Sequence, residues 1–165
     1  MDAAAQFDRA RVLAAMGRSA EAVAILDPLL ESDPSHHGAL LLRAALHAED
    51  REWEAALVLN ERAAKLWPRS AEALNALARR LHAQGRDPEA LKIAHEARTL
   101  LGEGDNFTQT AAVYLTLVWC LREMRRYKEA IAVAEEGLAR MPDAVLAQWA
   151  TQIEEELIAA EKEEC

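Results

Sequence analysis

The residues best suited to chemistry in this 165-residue chain are its five histidines, and their spacing argues against a metal or catalytic site. His36 and His37 are adjacent, whereas two imidazoles on one helix meet at a metal when they stand four residues apart. His47, His82 and His95 fall in three separate segments, with no nucleophile close to them in sequence. We therefore predict neither a bound metal nor a cofactor.

Motifs with a known catalytic mechanism are also missing from the sequence. No segment matches a glycine-rich phosphate loop, a G-x-S-x-G nucleophile turn or an H-E-x-x-H metal motif. The acidic run at 154–156 is typical of a solvated helix face, because paired carboxylates need a surrounding cleft for acid–base work. The sequence therefore predicts a protein that is not an enzyme.

Charge and hydropathy exclude two classes of partner. The chain has 19 basic and 28 acidic side chains and a net charge of −9, which opposes capture of nucleic acid or of an anionic lipid surface. We find no apolar run of about 18 residues and no basic leader followed by an apolar stretch. We therefore expect a cytoplasmic protein that binds neither nucleic acid nor membrane. The two cysteines, Cys120 and Cys165, are too few for a disulfide framework.

The elements that must position these side chains are predicted to be helices. Alanine and leucine dominate, and no β-branched residues alternate with polar ones over the length of a strand. The segment 51–68 carries two apolar stripes, one including Trp53 and Ala56 and the other including Val58 and Leu66. We expect this helix to be buried on two sides.

The chain repeats itself with a period of 34 residues. The alanines at one repeat position are 34, 34 and 40 residues apart: Ala22, Ala56, Ala90 and Ala130. Each copy reads as two amphipathic helices joined by a short polar turn, which predicts a helical hairpin. Pro28 stands inside the second helix of the first copy, where we expect a kink or an early end. Six extra residues, 105–110, lie between the third and fourth copies. Asn106, one of these six, is predicted to cap the next helix.

A 34-residue helix-turn-helix repeat with a small residue at position 8, alanine at position 20 and proline near position 32 resembles the tetratricopeptide repeat. Position 8 is occupied by Ala10, Ala44, Ala78 and Val118. The resemblance implies an all-α fold, a right-handed α-α superhelix, or α-solenoid, in a single domain over 1–165. It would contain about four hairpins and a C-terminal capping helix: 3–36, 37–70, 71–104, 111–144 and 145–163.

The resemblance also implies a binding surface. In similar proteins the first helices of successive hairpins line a concave groove, and positions 2, 5, 9 and 12 tend to face it. The guanidinium groups of the groove arginines would pair with a carboxylate of the ligand. Several apolar groove residues, Leu41 and Leu115 above all, would equally serve packing between helices. The predicted groove residues are Phe7, Arg11, Leu41, Asn75, Arg79, His82, Leu115, Trp119 and Arg122.

The carboxylate clamp of chaperone adaptors is not matched. That clamp uses lysine and asparagine at positions 5 and 9 of the first repeat, asparagine in the second, and lysine and arginine in the third. The corresponding residues of this chain are Phe7, Arg11, Leu41 or Ala45, Glu72 and Ala76.

We therefore predict a non-catalytic interaction module, or scaffold, whose ligand is a protein or peptide. The alternative is a self-assembling subunit, because the end helices or Cys165 would also join copies into dimers or filaments. Whether the loop 102–110 or the acidic C-terminal tail takes part in binding is left open by the sequence.

Overall fold

The computed structural model describes residues 2–102 and 106–163, and every regular element in these ranges is an α-helix. The prediction of an all-α fold is confirmed. In the same ranges, no helix combines the length and the apolar character that crossing a membrane requires. The helices are α1 Ala3–Ala15, α2 Ser19–Ser32, α3 His37–Glu49, α4 Trp53–Leu66, α5 Ala71–Ala83, α6 Asp87–Thr99, α7 Phe107–Glu123, α8 Tyr127–Arg140 and α9 Ala144–Glu163.

The chain divides into two compact units, Met1–Pro68 and Arg69–Cys165. In the first unit α1 pairs with α2 and α3 with α4, and α3 also contacts α1 and α2. In the second unit α5 pairs with α6 and α7 with α8, α7 also contacts α5 and α6, and α9 packs on α8 and α7. Both units are therefore stacks of helical hairpins, as predicted. The single domain over 1–165 stays a prediction, and Cys165 and residues 103–105 lie outside the described residues.

Alanine occupies one fully buried position in the second helix of every described hairpin. The four alanines that mark the repeat are all fully buried, with no exposed surface: Ala22, Ala56, Ala90 and Ala130. Position 8 on the facing helix is equally buried, at 0–1% exposure in all four copies. A side chain that ends at Cβ lets two backbones approach, and the buried contact supplies the hydrophobic stabilisation. The 34-residue repeat therefore marks the positions that are buried in each hairpin.

The expectation that α4 is buried on two sides is wrong for part of its apolar surface. Ala56 and Leu57 are buried, whereas Trp53, Val58 and Leu66 expose 45%, 60% and 44% of their surface. Within its unit α4 packs against α3. Within the unit, α3 covers one side of α4. Val58 and Leu66 of the second stripe, and Trp53 at the start of the first stripe, stay outside this contact.

The proline inside α2 does not end that helix early. Pro28 lies within α2, which continues to Ser32. Proline removes one backbone hydrogen bond, here the one to the carbonyl of Ala24, which is an exposed residue and can bond water instead. Leu26 and Leu29, on either side of the proline, are buried at 0% and 1% exposure. Their burial offsets the lost hydrogen bond.

Each of the four hairpin turns contains one residue in the left-handed backbone conformation. A residue with positive φ stands between the two helices of each hairpin: Gly17 (73°), Arg51 (62°), Gly85 (73°) and Arg125 (57°). These residues follow the same intervals as the buried alanines. The left-handed region is easy for glycine and costs other residues energy, since their Cβ crowds the backbone. Two turns therefore have the favoured residue and two do not.

Replacing Arg51 by glycine should stabilise the protein by about 0.5–1 kcal/mol, because it relieves the left-handed backbone strain. Gly85→Ala should destabilise it by a similar amount, since a Cβ at Gly85 meets nothing within 4 Å and only the backbone strain changes. Chemical denaturation followed by circular dichroism measures both variants. A lower midpoint for Arg51→Gly would show that the arginine side chain contributes more than its backbone costs.

Ala56→Glu should lower the free energy of unfolding by roughly 2–5 kcal/mol, because it places a charge in the closed contact between α3 and α4. Val58→Glu makes the same chemical change on the exposed side of the same helix and should shift stability by about 0.5 kcal/mol at most. Thermal unfolding followed by circular dichroism compares them. Equal midpoints for the two variants would contradict the assigned packing register.

The last helix covers the final hairpin, as predicted for a capping helix. Asp143 accepts a hydrogen bond from the backbone N–H of Leu146 at 2.7 Å, which satisfies a donor at the start of α9. Leu146 and Ile153 are fully buried, whereas Ile158 exposes 52% of its surface. The inner stripe of α9 therefore belongs to the core.

Ile153→Asp should destabilise the protein by about 3 kcal/mol or more, because it removes core packing and buries a carboxylate without a partner. Ile158→Asp is the matched control, since this side chain is half-exposed and its replacement should leave the melting temperature nearly unchanged. Differential scanning calorimetry gives both values. If both variants melt with the parent protein, α9 is not a structural cap.

Candidate partner-binding groove

An open groove of about 400 Å³ lies on the second unit, across the first helices of its hairpins. Helix α5 contributes Arg79, Arg80, His82 and Ala83, α7 contributes Trp119, Arg122 and Glu123, and α9 contributes Trp149. Its volume falls within the range of roughly 300–1,000 Å³ that is typical of ligand sites. We call it the α5–α7–α9 groove.

The repeat explains why these side chains meet. Arg79 and Trp119 occupy the same repeat position on α5 and α7, which pack side by side. His82 and Arg122 occupy the next groove position on the same two helices. Equivalent residues on parallel neighbouring helices face the same side, so the hairpin stack lines them up. Four predicted groove residues are therefore brought together here.

The floor of the groove is aromatic. The rings of His82 and Trp119 are stacked with centroids 6.1 Å apart, and Trp119 meets Trp149 edge to face at 6.3 Å. The guanidinium carbon of Arg122 lies 5.4 Å from the centre of the Trp149 ring, a cation–π distance. The indole N–H of Trp119 is buried and donates to none of the described residues. Buried tryptophans normally find such a partner, so this ring is not fully satisfied by the core.

Arg122 already has a carboxylate from its own chain. Its Nη2 donates to Oε1 of Glu156 at 2.7 Å and its Nε donates to Oε2 at 2.9 Å, while Nη1 donates to Glu123 at 2.9 Å. The hydrogen bonds to Glu156 raise the pKa of Arg122 and lower the pKa of Glu156. Thus the fork predicted to face a ligand instead joins α7 to α9.

Arg79 is in a different position. Its side chain is exposed, and it forms no ion pair with any described residue. The neighbouring Arg80 is partly buried, and burial, with a smaller contribution from the charge of Arg79, lowers the pKa of Arg80. Two adjacent cations repel each other, so an anion bound at Arg79 would stabilise both.

A second cluster lies beside the groove. Nδ1 of His82 is 2.6 Å from Oδ1 of Asp87, and the sulfur of Cys120 completes a set of three possible metal ligands within 4.8 Å of one another. Burial, followed by the charge of Asp87, raises the pKa of Cys120 to about 12, so the thiol is protonated at neutral pH. A metal would have to displace that proton and separate the His82–Asp87 pair. The prediction of no metal stays a prediction.

The predicted groove residues of the first unit lie in different surroundings. Phe7 is half-buried against the core, its ring is 5.2 Å from that of His36, and it fills the space that a Cβ at Gly38 would need. Arg11 is exposed and pairs with Asp8 at 3.2 Å, and Leu41 is half-buried. Phe7 therefore serves packing between α1 and α3.

Two further predicted residues of the second unit do not line the groove. Asn75 is only 5% exposed, and its side-chain oxygen has no hydrogen-bond partner among the described residues, while Leu115 is half-buried. Sequence reasoning missed four lining residues: Arg80, Ala83 and Glu123, which are chain neighbours of predicted ones, and Trp149. Trp149 follows Leu115 by 34 residues, as Glu156 follows Arg122, so extending the repeat into α9 would have found both.

Comparison with solved structures shows the same fold elsewhere. The chain is similar to pilF of Pseudomonas aeruginosa, with a TM-score of 0.81 and 22% identity over 97% of this chain and 72% of that chain. It is also similar to MamA, with a TM-score of 0.71 and 19% identity over 93% of this chain and 81% of that chain. For MamA of Desulfovibrio magneticus RS-1 the values are 0.68 and 17%, over 84% and 75%. At these identities the likeness concerns the fold alone.

Sequence comparison identifies the repeat. A search of the curated proteins found no match. Two family models described as tetratricopeptide repeat match the chain, one over residues 7–64 and the other over residues 69–143. The matches fall on the helical hairpins of both units, and the chain belongs to the tetratricopeptide repeat family.

Proposed function

We propose that this protein is a non-catalytic interaction scaffold that binds a peptide or helix of another protein in the α5–α7–α9 groove. Tetratricopeptide repeats are generally protein–protein interaction scaffolds. The observation that carries the proposal is the meeting of Arg79, Trp119 and Trp149 on one open surface. Tryptophan and arginine are the side chains most often found at the energetic centres of interfaces.

Self-assembly is the competing hypothesis. The exposed Ile158 on α9 would support contact between copies, since an exposed apolar side chain loses its contact with water in an interface. A net charge of −9 on every copy opposes such association. Size-exclusion chromatography with light scattering separates the two hypotheses, because a scaffold for other proteins is expected at the mass of a single chain.

Substituting Arg79 and Trp119 together by alanine should abolish most partner capture, because it removes the exposed cation and the aromatic floor of the groove. The control replaces Lys92 and Glu135, exposed residues of the second helices α6 and α8, and should leave capture intact. Capture is measured by affinity purification and quantitative mass spectrometry, with melting temperatures beside it. A folded double variant that captures the same chains as the parent would exclude this groove as the binding site.

Trp119→Phe tests whether Trp119 contributes to the stability of the fold. Phenylalanine keeps an aromatic ring in the floor but loses the indole N–H, which contributes no hydrogen bond to the described residues. The folded state should therefore keep its melting temperature. A large drop in that temperature would mean that Trp119 serves the core first.

A further inference from the structure

The balance of charge in the groove points to the chemistry of its ligand. The lining contains three arginines and one glutamate, in a chain whose total charge is −9. Arg122 is neutralised by Glu156 and Glu123. Arg80 is half-buried on the same helix as Arg79. The cation left exposed beside the aromatic floor is therefore Arg79, which pairs with no described residue. The α5 side of the groove therefore offers an exposed positive charge to which an anion would bind.

The apolar part of the groove lies next to this cation. Trp119 stands one repeat along from Arg79, on the neighbouring helix, and its ring meets that of Trp149. Both tryptophans are only partly buried and line the groove. A ligand that bridges the two surfaces needs an apolar side chain and a carboxylate close to each other.

We propose that the groove, if it is the binding site of the proposed function, accepts an acidic segment of another protein that carries an apolar or aromatic anchor. One carboxylate of the segment pairs with Arg79, and the anchor packs on Trp119 and Trp149. Arg122 is a positioning residue, because its pair with Glu156 holds α9 and thereby Trp149 in place. Specificity then comes from the spacing between the anchor and the carboxylate.

The occupant is a different protein and not a second copy or a nucleic acid. Two copies with a net charge of −9 each repel at long range, whereas a short acidic segment on a neutral or basic protein does not. Phosphate groups would also pair with arginine, but a polyanion meets the repulsion of the whole chain. A local cation in an acidic protein selects a short acidic stretch.

Selection from a peptide library tests the inference before any natural partner has been identified. Random 12-residue peptides displayed on phage are selected on the full chain, and the enriched peptides are sequenced. We expect aspartate or glutamate close to tryptophan, phenylalanine or leucine. Parallel selection on Arg79→Glu should lose the acidic preference. Lys92→Glu makes the same change of charge at an exposed position of α6 and should keep it.

The most enriched acidic peptide then serves as a labelled probe in fluorescence anisotropy. Its affinity should fall about tenfold or more for Arg79→Glu and stay within about twofold for Lys92→Glu. Both variants should melt with the parent protein, since Arg79 and Lys92 are exposed on their helices. Equal melting temperatures would show that a loss of binding does not result from unfolding.

The outcomes separate this inference from the function on which it rests. No enrichment of any peptide would contradict both. Enriched peptides without acidic residues, or acidic peptides whose affinity survives Arg79→Glu, would overturn the inference and leave peptide binding in place. Enrichment of sequences like this chain's own α9, together with a mass above one chain that falls in Arg79→Glu, would make a second copy the occupant and overturn the choice of another protein.

Discussion

The close approach of two helices at an alanine is the contact on which the rest of this structure depends. At Ala22, Ala56, Ala90 and Ala130 no surface is left exposed, so the distance between the two helices of each hairpin is set by a methyl group. Interiors pack like crystals, and a larger side chain would push the helices apart. Within each unit, the first helices of the two hairpins also contact each other, α1 with α3 and α5 with α7. The groove is a consequence of that arrangement, since Arg79 and Trp119 face one side only while the register holds.

Much of the fold follows from the sequence, because the features that set it are periodic. The alanines and the turn residues recur at the same intervals, and a period survives even where single residues differ, as with Arg51 and Arg125 in turns that favour glycine. The pattern was less informative about how many neighbours each helix has. The exposed Val58 and Leu66 on α4 show that an apolar stripe identifies a surface without telling whether another element covers it.

The candidate site was only partly predictable for a related reason. Arg79, His82, Trp119 and Arg122 followed from repeat positions, and they line one groove. The contribution of Trp149 needed the repeat to be extended into α9, and the cluster of His82, Asp87 and Cys120 has no periodic signal at all. Charge was the hardest to foresee. A guanidinium counted from sequence as available to a ligand is bound by Glu156. The repeat places this carboxylate 34 residues further on, but the pairing itself comes from the packing of α7 against α9.

Because Trp149 lines the groove, the docking of α9 is linked to the proposed binding site, and amide hydrogen exchange along α9 would report on that link. Helix α9 packs on α7 and α8, and local opening of these contacts would expose its amides to exchange. A ligand that rested on Trp149, as proposed, would bind only while α9 is docked, and its binding would slow exchange along that helix. Loosening the Arg122–Glu156 pair would weaken the binding of such a ligand to the extent that it lowers the fraction of molecules with α9 docked, without touching any atom that the ligand contacts.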